Sequence, residues 1–382
     1  MKRQRSIEKY ADESNKKLQT KLFQPVNCLE NLSNELLYEI FDYLEGRVLF
    51  EAFGNLNSRF QSLIQSPCLQ LKIGPAWKKE DQQNQQLANF ILSNRSHIVS
   101  LKLWIYSSNL IKFSLLPLDA SFHRLQSLNI EYDDDDNIIP FLINLTFLPQ
   151  LSSISLCFDG EPKEIGSIYQ IIFNMPVLKY ITLSFFWELP WAIPLYLPLS
   201  LANAGRFSQI KYLNIGHSII FNELISLLSY IPELHELICH RLVDSDEPVT
   251  TNFPNPIKTL TRITFSRCEV NFGKLANFFS KISPNVKIIR LNIDDDVDLL
   301  SYLDADEWEK FITNNLTQLR RFEFTYEQTI DADLDEVPIT ENINRFNFSF
   351  WTRHNWTFQI SIDSDRYFFD QIYLIYSVAP PK

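Results

Sequence analysis

Glycine is scarce in this chain, with 8 residues in 382. Gly-rich phosphate loops and turn-dense sandwiches both draw on the backbone freedom of glycine, so neither is expected. The five cysteines (Cys28, Cys68, Cys157, Cys239 and Cys268) are odd in number, far apart and without Cys-x-x-Cys spacing. That argues against a disulfide framework or a zinc site and for free buried thiols in a reducing compartment. No apolar run approaches the roughly 18 residues of a membrane span. The opening MKRQRSIEKY has no apolar stretch behind it to make a signal peptide. A soluble, intracellular protein is expected, cytoplasmic and/or nuclear, with no membrane partner. Lys2, Arg3, Arg5, Lys16 and Lys17 read as a solvated, mobile terminus or as a nuclear address. Positive charge is also short: the net charge of −11 argues against nucleic acid as a direct ligand, because phosphate binding needs clustered cations.

The motifs of catalysis are missing too. There is no GxSxG, HExxH, P-loop or GxGxxG. The histidines (His97, His123, His217, His235, His240, His354) are scattered without ligand spacing. The acidic runs Asp133–Asp136 and Asp294–Asp298, the second interrupted by Val297, lie too many repeats apart to share one coordination shell. They read as an acidic rim. No enzyme activity, cofactor or metal is expected.

What the chain has is apolar and aromatic bulk: 45% hydrophobic residues, with 30 Phe and 15 Tyr. From Leu29 the texture becomes helical. Ser33 is a candidate N-cap and Glu35 suits the first turn. Leu36, Leu37, Ile40, Phe41 and Leu44 follow in a stripe too wide for a helix covered on one side only. Gly46 reads as a helix stop. A second helix carries Leu49, Ala52, Phe53 and Leu56; a third opens near Asn57 or Ser58 and carries Phe60, Leu63 and Ile64. Three short helices cannot form a stable core alone, so the module must dock on something.

These residues resemble an F-box. The matching positions are Leu32, Glu35, Leu36, Ile40, Phe41, Tyr43, Leu44, Leu49, Ala52, Arg59 and Phe60. Ser33 stands in place of the usual Pro, Val48 of a common Asp, Leu56-Asn57 of Val-Cys, and Phe60 of Trp. The resemblance implies a small helical bundle that inserts apolar residues into a Skp1-like adaptor and so joins a cullin-RING ligase. The adaptor-binding residues it implies are Leu32, Leu36, Leu37, Ile40, Phe41, Leu44 and Phe60.

The rest of the chain repeats. A six-residue pattern, apolar-x-x-apolar-x-apolar, starts at Ile98, Leu125, Leu151, Leu178, Ile210, Leu234, Leu260, Val286 and Leu319. Its mean spacing of about 28 residues lies inside the range of leucine-rich repeats. Between the strand patterns lie short amphipathic segments, and Pro149, Pro176, Pro232 and Pro284 each fall two residues before a pattern begins. The Asn or Cys expected three residues after the last apolar position appears clearly only as Cys268, so the array is irregular. Residues 187–209 and 325–345 read as insertions. FNFSF, WTFQISI and DQIYLIY alternate like strands that cap the array's end. The region is similar to the leucine-rich repeats that commonly follow an F-box.

The fold class expected is therefore α/β. An N-terminal three-helix F-box precedes a leucine-rich-repeat solenoid, a horseshoe with a parallel sheet on its concave face and helices on its convex face. The boundaries are 1–24 for a flexible segment, 25–73 for the F-box-like module, 78–340 for about nine repeats and 341–382 for a β cap. Strand alternation puts Lys102, Trp104, Glu131, Tyr180, Tyr212, Glu236, His240, Arg262, Arg290, Arg321 and Glu323 on the concave face. Trp104, Tyr180, Tyr212, Arg262, Arg290 and Arg321 are the candidate substrate anchors, for an acidic or phosphorylated protein segment meeting the arginine end. The function expected is that of a substrate receptor in a Skp1–cullin–F-box ubiquitin ligase; the alternative is a protein-binding scaffold with no link to ubiquitin.

Overall fold

The structure, a computed structural model, describes residues 29–74, 81–105, 117–132, 138–160, 162, 164–186, 192, 195, 208–245, 253–293, 299–331, 344–363 and 371–380. The N-terminal segment 1–24, the acidic runs 133–136 and 294–298, and most of 187–209 lie outside them. The chain divides into two compact units, Met1–Lys72 and Ile73–Lys382.

In the first unit a 3₁₀ turn at Leu29–Asn31 leads into α1 (Asn34–Asp42), α2 (Gly46–Phe53) and α3 (Ser58–Ile64). Each has a side-chain cap where its backbone N–H groups need one: Ser33 for α1, Glu45 for α2 and Asn57 for α3. Gly46 does not stop α1, as expected from its type; it is the buried first residue of α2. The Glu45 carboxylate accepts from Arg47 N and Val48 N at 3.0 and 3.1 Å and starts the new helix there. Leu56 falls in the turn after α2. The unit's core is aromatic, with Phe53 between Phe41 at 5.1 Å and Phe60 at 5.3 Å, measured between ring centroids. A short strand, β1 (Leu71–Ile73), marks the boundary between the units.

The second unit begins with α4 (Asp81–Ser93), β2 (Ile98–Ile105) and β3 (Ser127–Tyr132). It continues with α5 (Ile139–Leu145), β4 (Ser153–Phe158), α6 (Ile165–Phe173) and β5 (Tyr180–Phe185). Then come β6 (Tyr212–Ile220), α7 (Phe221–Leu228), β7 (Glu236–Val243), β8 (Arg262–Cys268) and α8 (Phe272–Ile282). The last parallel turn adds β9 (Ile288–Ile293), α9 (Leu299–Tyr302), α10 (Ala305–Asn315) and β10 (Arg321–Asp331). Strands β2 to β10 lie side by side in sequence order, each parallel to the next. The unit is α/β, with one large, mostly parallel open sheet built of repeats.

Register explains the sequence pattern. The middle apolar residues, Leu101, Leu128, Ile154, Ile181, Leu213, Leu237, Ile263, Ile289 and Phe322, pair across successive strands as one continuous row. All three apolar positions of every pattern are buried. Each fully buried aliphatic or aromatic side chain contributes about 1.5–3 kcal/mol, so the rows, rather than any one turn, hold the array together. Pro149, Pro176, Pro232 and Pro284 sit in the turns that end the preceding segments.

The end of the chain differs from expectation in two places. FNFSF is not a strand: Arg345–Asn347 is a 3₁₀ turn and Ser349–Arg353 forms α11. A strand would put Phe346, Phe348 and Phe350 on one face, whereas Phe346 is buried, Phe350 half-buried and Phe348 exposed. Residues 325–331 belong to β10, extended because β12 (Gln371–Ala379) pairs antiparallel with Phe324–Asp331. Outside β12 lies β11 (Thr357–Asp363). Trp351 and Trp356 are buried beside Phe322, at 6.2 and 5.7 Å, at the last parallel turn.

Among the described cysteines, Cys239 and Cys268 are buried, Cys157 is half-buried and Cys68 is exposed, so the buried reading holds for two. Burial pushes the Cys268 thiol up to about 12 and the Cys239 thiol up further. No helix among the described residues is long and apolar enough to cross a membrane.

Gly166 and His217 mark the irregular middle of the array. A Cβ on Gly166 would lie 1.7 Å from the Leu195 carbonyl oxygen, so only glycine fits. His217 is buried just where β6 and β7 slip register. Its Nδ1–H faces the Ser218 carbonyl at 3.0 Å, its Nε2 faces the Tyr169 hydroxyl at 2.7 Å, and its ring stacks on Phe185 at 5.3 Å. Burial lowers its pKa to about 4, against an ordinary value of 6.5. The unfolded chain therefore binds the extra proton first as pH falls. Stability is expected to be full above pH 6.5 and to fall by about 3 kcal/mol as pH drops through the folded value. Urea unfolding across this range checks it; His217→Phe should flatten that part of the profile.

Candidate functional site

In the first unit, α1 carries two apolar stripes about 100° apart. Leu37 and Phe41 turn into the unit's own core, as does Phe60 from α3. Leu36, Ile40 and Tyr43 form the second stripe; Leu36 and Tyr43 are exposed, and Ile40, Leu32 and Leu44 are half-buried. The seven residues expected from the family pattern are therefore split. Leu37, Phe41 and Phe60 build the platform, while Leu32, Leu36, Ile40 and Leu44 reach its surface.

The surface is wider than that pattern. Exposed fractions are 91% for Tyr43, 57% for Leu56, 49% for Val48, 47% for Leu36 and 45% for Leu29. Five large apolar residues on so small a unit are thus open to solvent. Tyr43, Val48, Leu56 and Leu29 were not among the adaptor-contact residues expected from sequence. A signal was present for Val48, which is apolar where the family pattern commonly has Asp.

Arg59 fixes the leading edge of this surface. Its guanidinium donates to the carbonyls of Glu30 and Leu32 at 2.5 and 2.6 Å. It also donates twice to Asn34 Oδ1, at 3.1 and 2.7 Å. One planar fork thus pins residues 30–34, and with them Leu32, against α3. The Glu35 backbone amide and the Ser33 hydroxyl hold the exposed Glu35 carboxyl below its ordinary value. Arg59→Lys, which keeps charge but loses the fork, should speed hydrogen exchange at residues 32–36 and cost about 1.5–3 kcal/mol of local stability. Exchange rates equal to wild type would show that the segment holds without it.

On the sheet, the substrate anchors expected from sequence occupy three rows. Tyr180 and Tyr212 pair in register, with ring centroids 6.4 Å apart; burial, with Glu236 nearby, raises the Tyr212 phenol above its ordinary value. The same row runs on through Glu236, Arg262, Ile288 and Arg321. Arg290 lies in another row, between Thr264 and Glu323. Trp104 lies at the other end, in a third row beside Glu131, with the Lys102 ammonium over its ring at 5.4 Å. The three arginines are already engaged. Arg262 meets Glu236 at 3.4 Å, Arg290 meets Glu323 at 2.6 Å, and Arg321 meets the same Glu323. The arginine end expected to meet an acidic or phosphorylated segment is thus already paired with this protein's own carboxylates.

No protein-family model matches the chain, and no curated protein matches it. Among solved structures it is similar to a chain in the crystal structure of the Rad7 and Elc1 complex in yeast, at 16% identity and a TM-score of 0.41, covering 82% of this chain and 76% of that one.

Proposed function

We propose that this chain is a non-catalytic substrate-receptor subunit of a Skp1–cullin–F-box type ubiquitin ligase. The observation that carries the reading is the exposed apolar surface of the first unit, set on helices whose residues match the F-box pattern. In this reading Leu36, Ile40, Tyr43 and Val48 enter a Skp1-like adaptor, while Leu37, Phe41 and Phe60 keep the helices rigid beneath them. The sheet of the second unit holds a protein substrate. The chain supplies no catalytic group; the gain comes from holding substrate lysines near activated ubiquitin, an effect of proximity and effective concentration.

The surface residues permit a clean test. Leu36→Asp and Val48→Asp change exposed positions and leave the Phe41–Phe53–Phe60 core intact. Each should weaken binding to purified Skp1 by about thirtyfold or more, with the far-ultraviolet spectrum unchanged. Wild type that fails to bind would defeat the ligase reading and leave the chain as a repeat scaffold for a protein partner.

A further inference from the structure

Just before each strand of the repeat array runs a row of residues that links every turn to the next. The Lys179 carbonyl accepts from Lys211 N at 2.9 Å, the Lys211 carbonyl from His235 N at 2.8 Å, and the His235 carbonyl from Thr261 N at 3.0 Å. The row continues with Lys287 N to the Thr261 carbonyl and Arg320 N to the Lys287 carbonyl, each at 2.8 Å. Each of these residues follows directly on the first buried apolar position of its turn, so the row is fixed by the same register that buries the core. Lys179, Lys211, His235, Lys287 and Arg320 are exposed, and Thr261 is half-buried. The row's earlier members, Gln126 and Ser152, are uncharged.

The four permanent cations of this row form no salt bridge among the described residues. Two nearby acids are engaged elsewhere, Glu236 with Arg262 and Glu323 with Arg290 and Arg321, while Glu233 is exposed two residues before His235. In a chain of net charge −11, a line of unneutralised cations is a departure from the average surface. With adjacent strands about 4.8 Å apart, Lys179 to Arg320 spans about 24 Å, or about seven residues of extended chain. Tyr180 and Tyr212 lie one position further along the strands, paired with each other in register.

We infer that this row is the docking line for an extended Asp/Glu-rich segment of a protein partner. The segment crosses the strand starts, its carboxylates meeting the cations one by one and its apolar residues meeting the tyrosines. Distribution decides the ligand class. A phosphate dianion is held best where several cations, arginine forks above all, converge on one point; Arg262, Arg290 and Arg321 are already paired, and the cations of the row are spread along a line. Single ammonium groups spaced along a line fit carboxylates spaced along a chain. The inference deepens the substrate side of the proposed function and rests on that reading for its biological role.

The test uses the full chain and a fluorescein-labelled Asp/Glu-rich peptide of about ten residues, a little longer than the row, followed by anisotropy at low salt. The peptide should bind, the Asn/Gln peptide of the same length should not, and added salt should weaken the complex. Lys179→Glu, Lys211→Glu and Lys287→Glu together should lower affinity about tenfold or more, while Lys281→Glu, on α8, should leave it unchanged. No binding of the acidic peptide, equal binding of the Asn/Gln peptide, or an unchanged triple variant overturns the inference. So does tighter binding of a phosphoserine peptide or of single-stranded DNA, either of which would assign the row to phosphate. The triple variant should hold Skp1 as wild type does; a wild type that binds the acidic peptide but not Skp1 would defeat the ligase reading alone.

Discussion

The constraint on which the second unit depends is register. Parallel strands can bury a shared face only if the inward residues of each strand lie opposite those of its neighbours, because a slip of one position turns every inward side chain outward. Nine strands keep that register, with irregularities only beyond the third apolar position of β6 and β8. The apolar rows, the ladder of amide bonds before the strands and the exposed rows between them are consequences of this one alignment. Every surface row is therefore a readout of the buried ones.

The rows are not uniform along the array. Early turns fill the core with Leu and Ile, whereas the last places Phe322 and Phe324 against Trp308, Tyr302, Trp351 and Trp356. Fewer, larger side chains fill the same space, with edge and offset ring contacts that fix their orientation. Tyr302 and Trp308 also satisfy buried polar atoms, donating to the Val270 and Tyr302 carbonyls at 2.6 and 3.0 Å. The aromatic end is thus stiffened by both packing and hydrogen bonding.

Much of this was legible in the sequence, for a physical reason. The six-residue pattern encodes strand alternation and the turn together, so Leu151-Ile154-Leu156 reads the same wherever it occurs. The three helices of the first unit were legible in their caps and stripes. Where reading failed, two patterns competed: Phe346, Phe348 and Phe350 alternate like a strand yet lie on a 3₁₀ turn, at the cap between and on a helix, and Gly46 looked like a stop although Glu45 had the means to start a helix. The candidate sites were less legible than the fold. Strand alternation predicts which side chains emerge, but not that Glu236 and Glu323 would occupy Arg262 and Arg290, since those partners lie 26 and 33 residues away.

The last parallel strand has neighbours of opposite sense, β9 running with it and β12 against it. A further repeat would need a free edge of the first kind at the place where the second kind is already seated. The hairpin therefore acts as a stop codon for architecture. Turns gained or lost by duplication must enter upstream of Arg321, and each such change would shift the surface rows by one whole unit, lengthening or shortening a binding line without redesigning its ends.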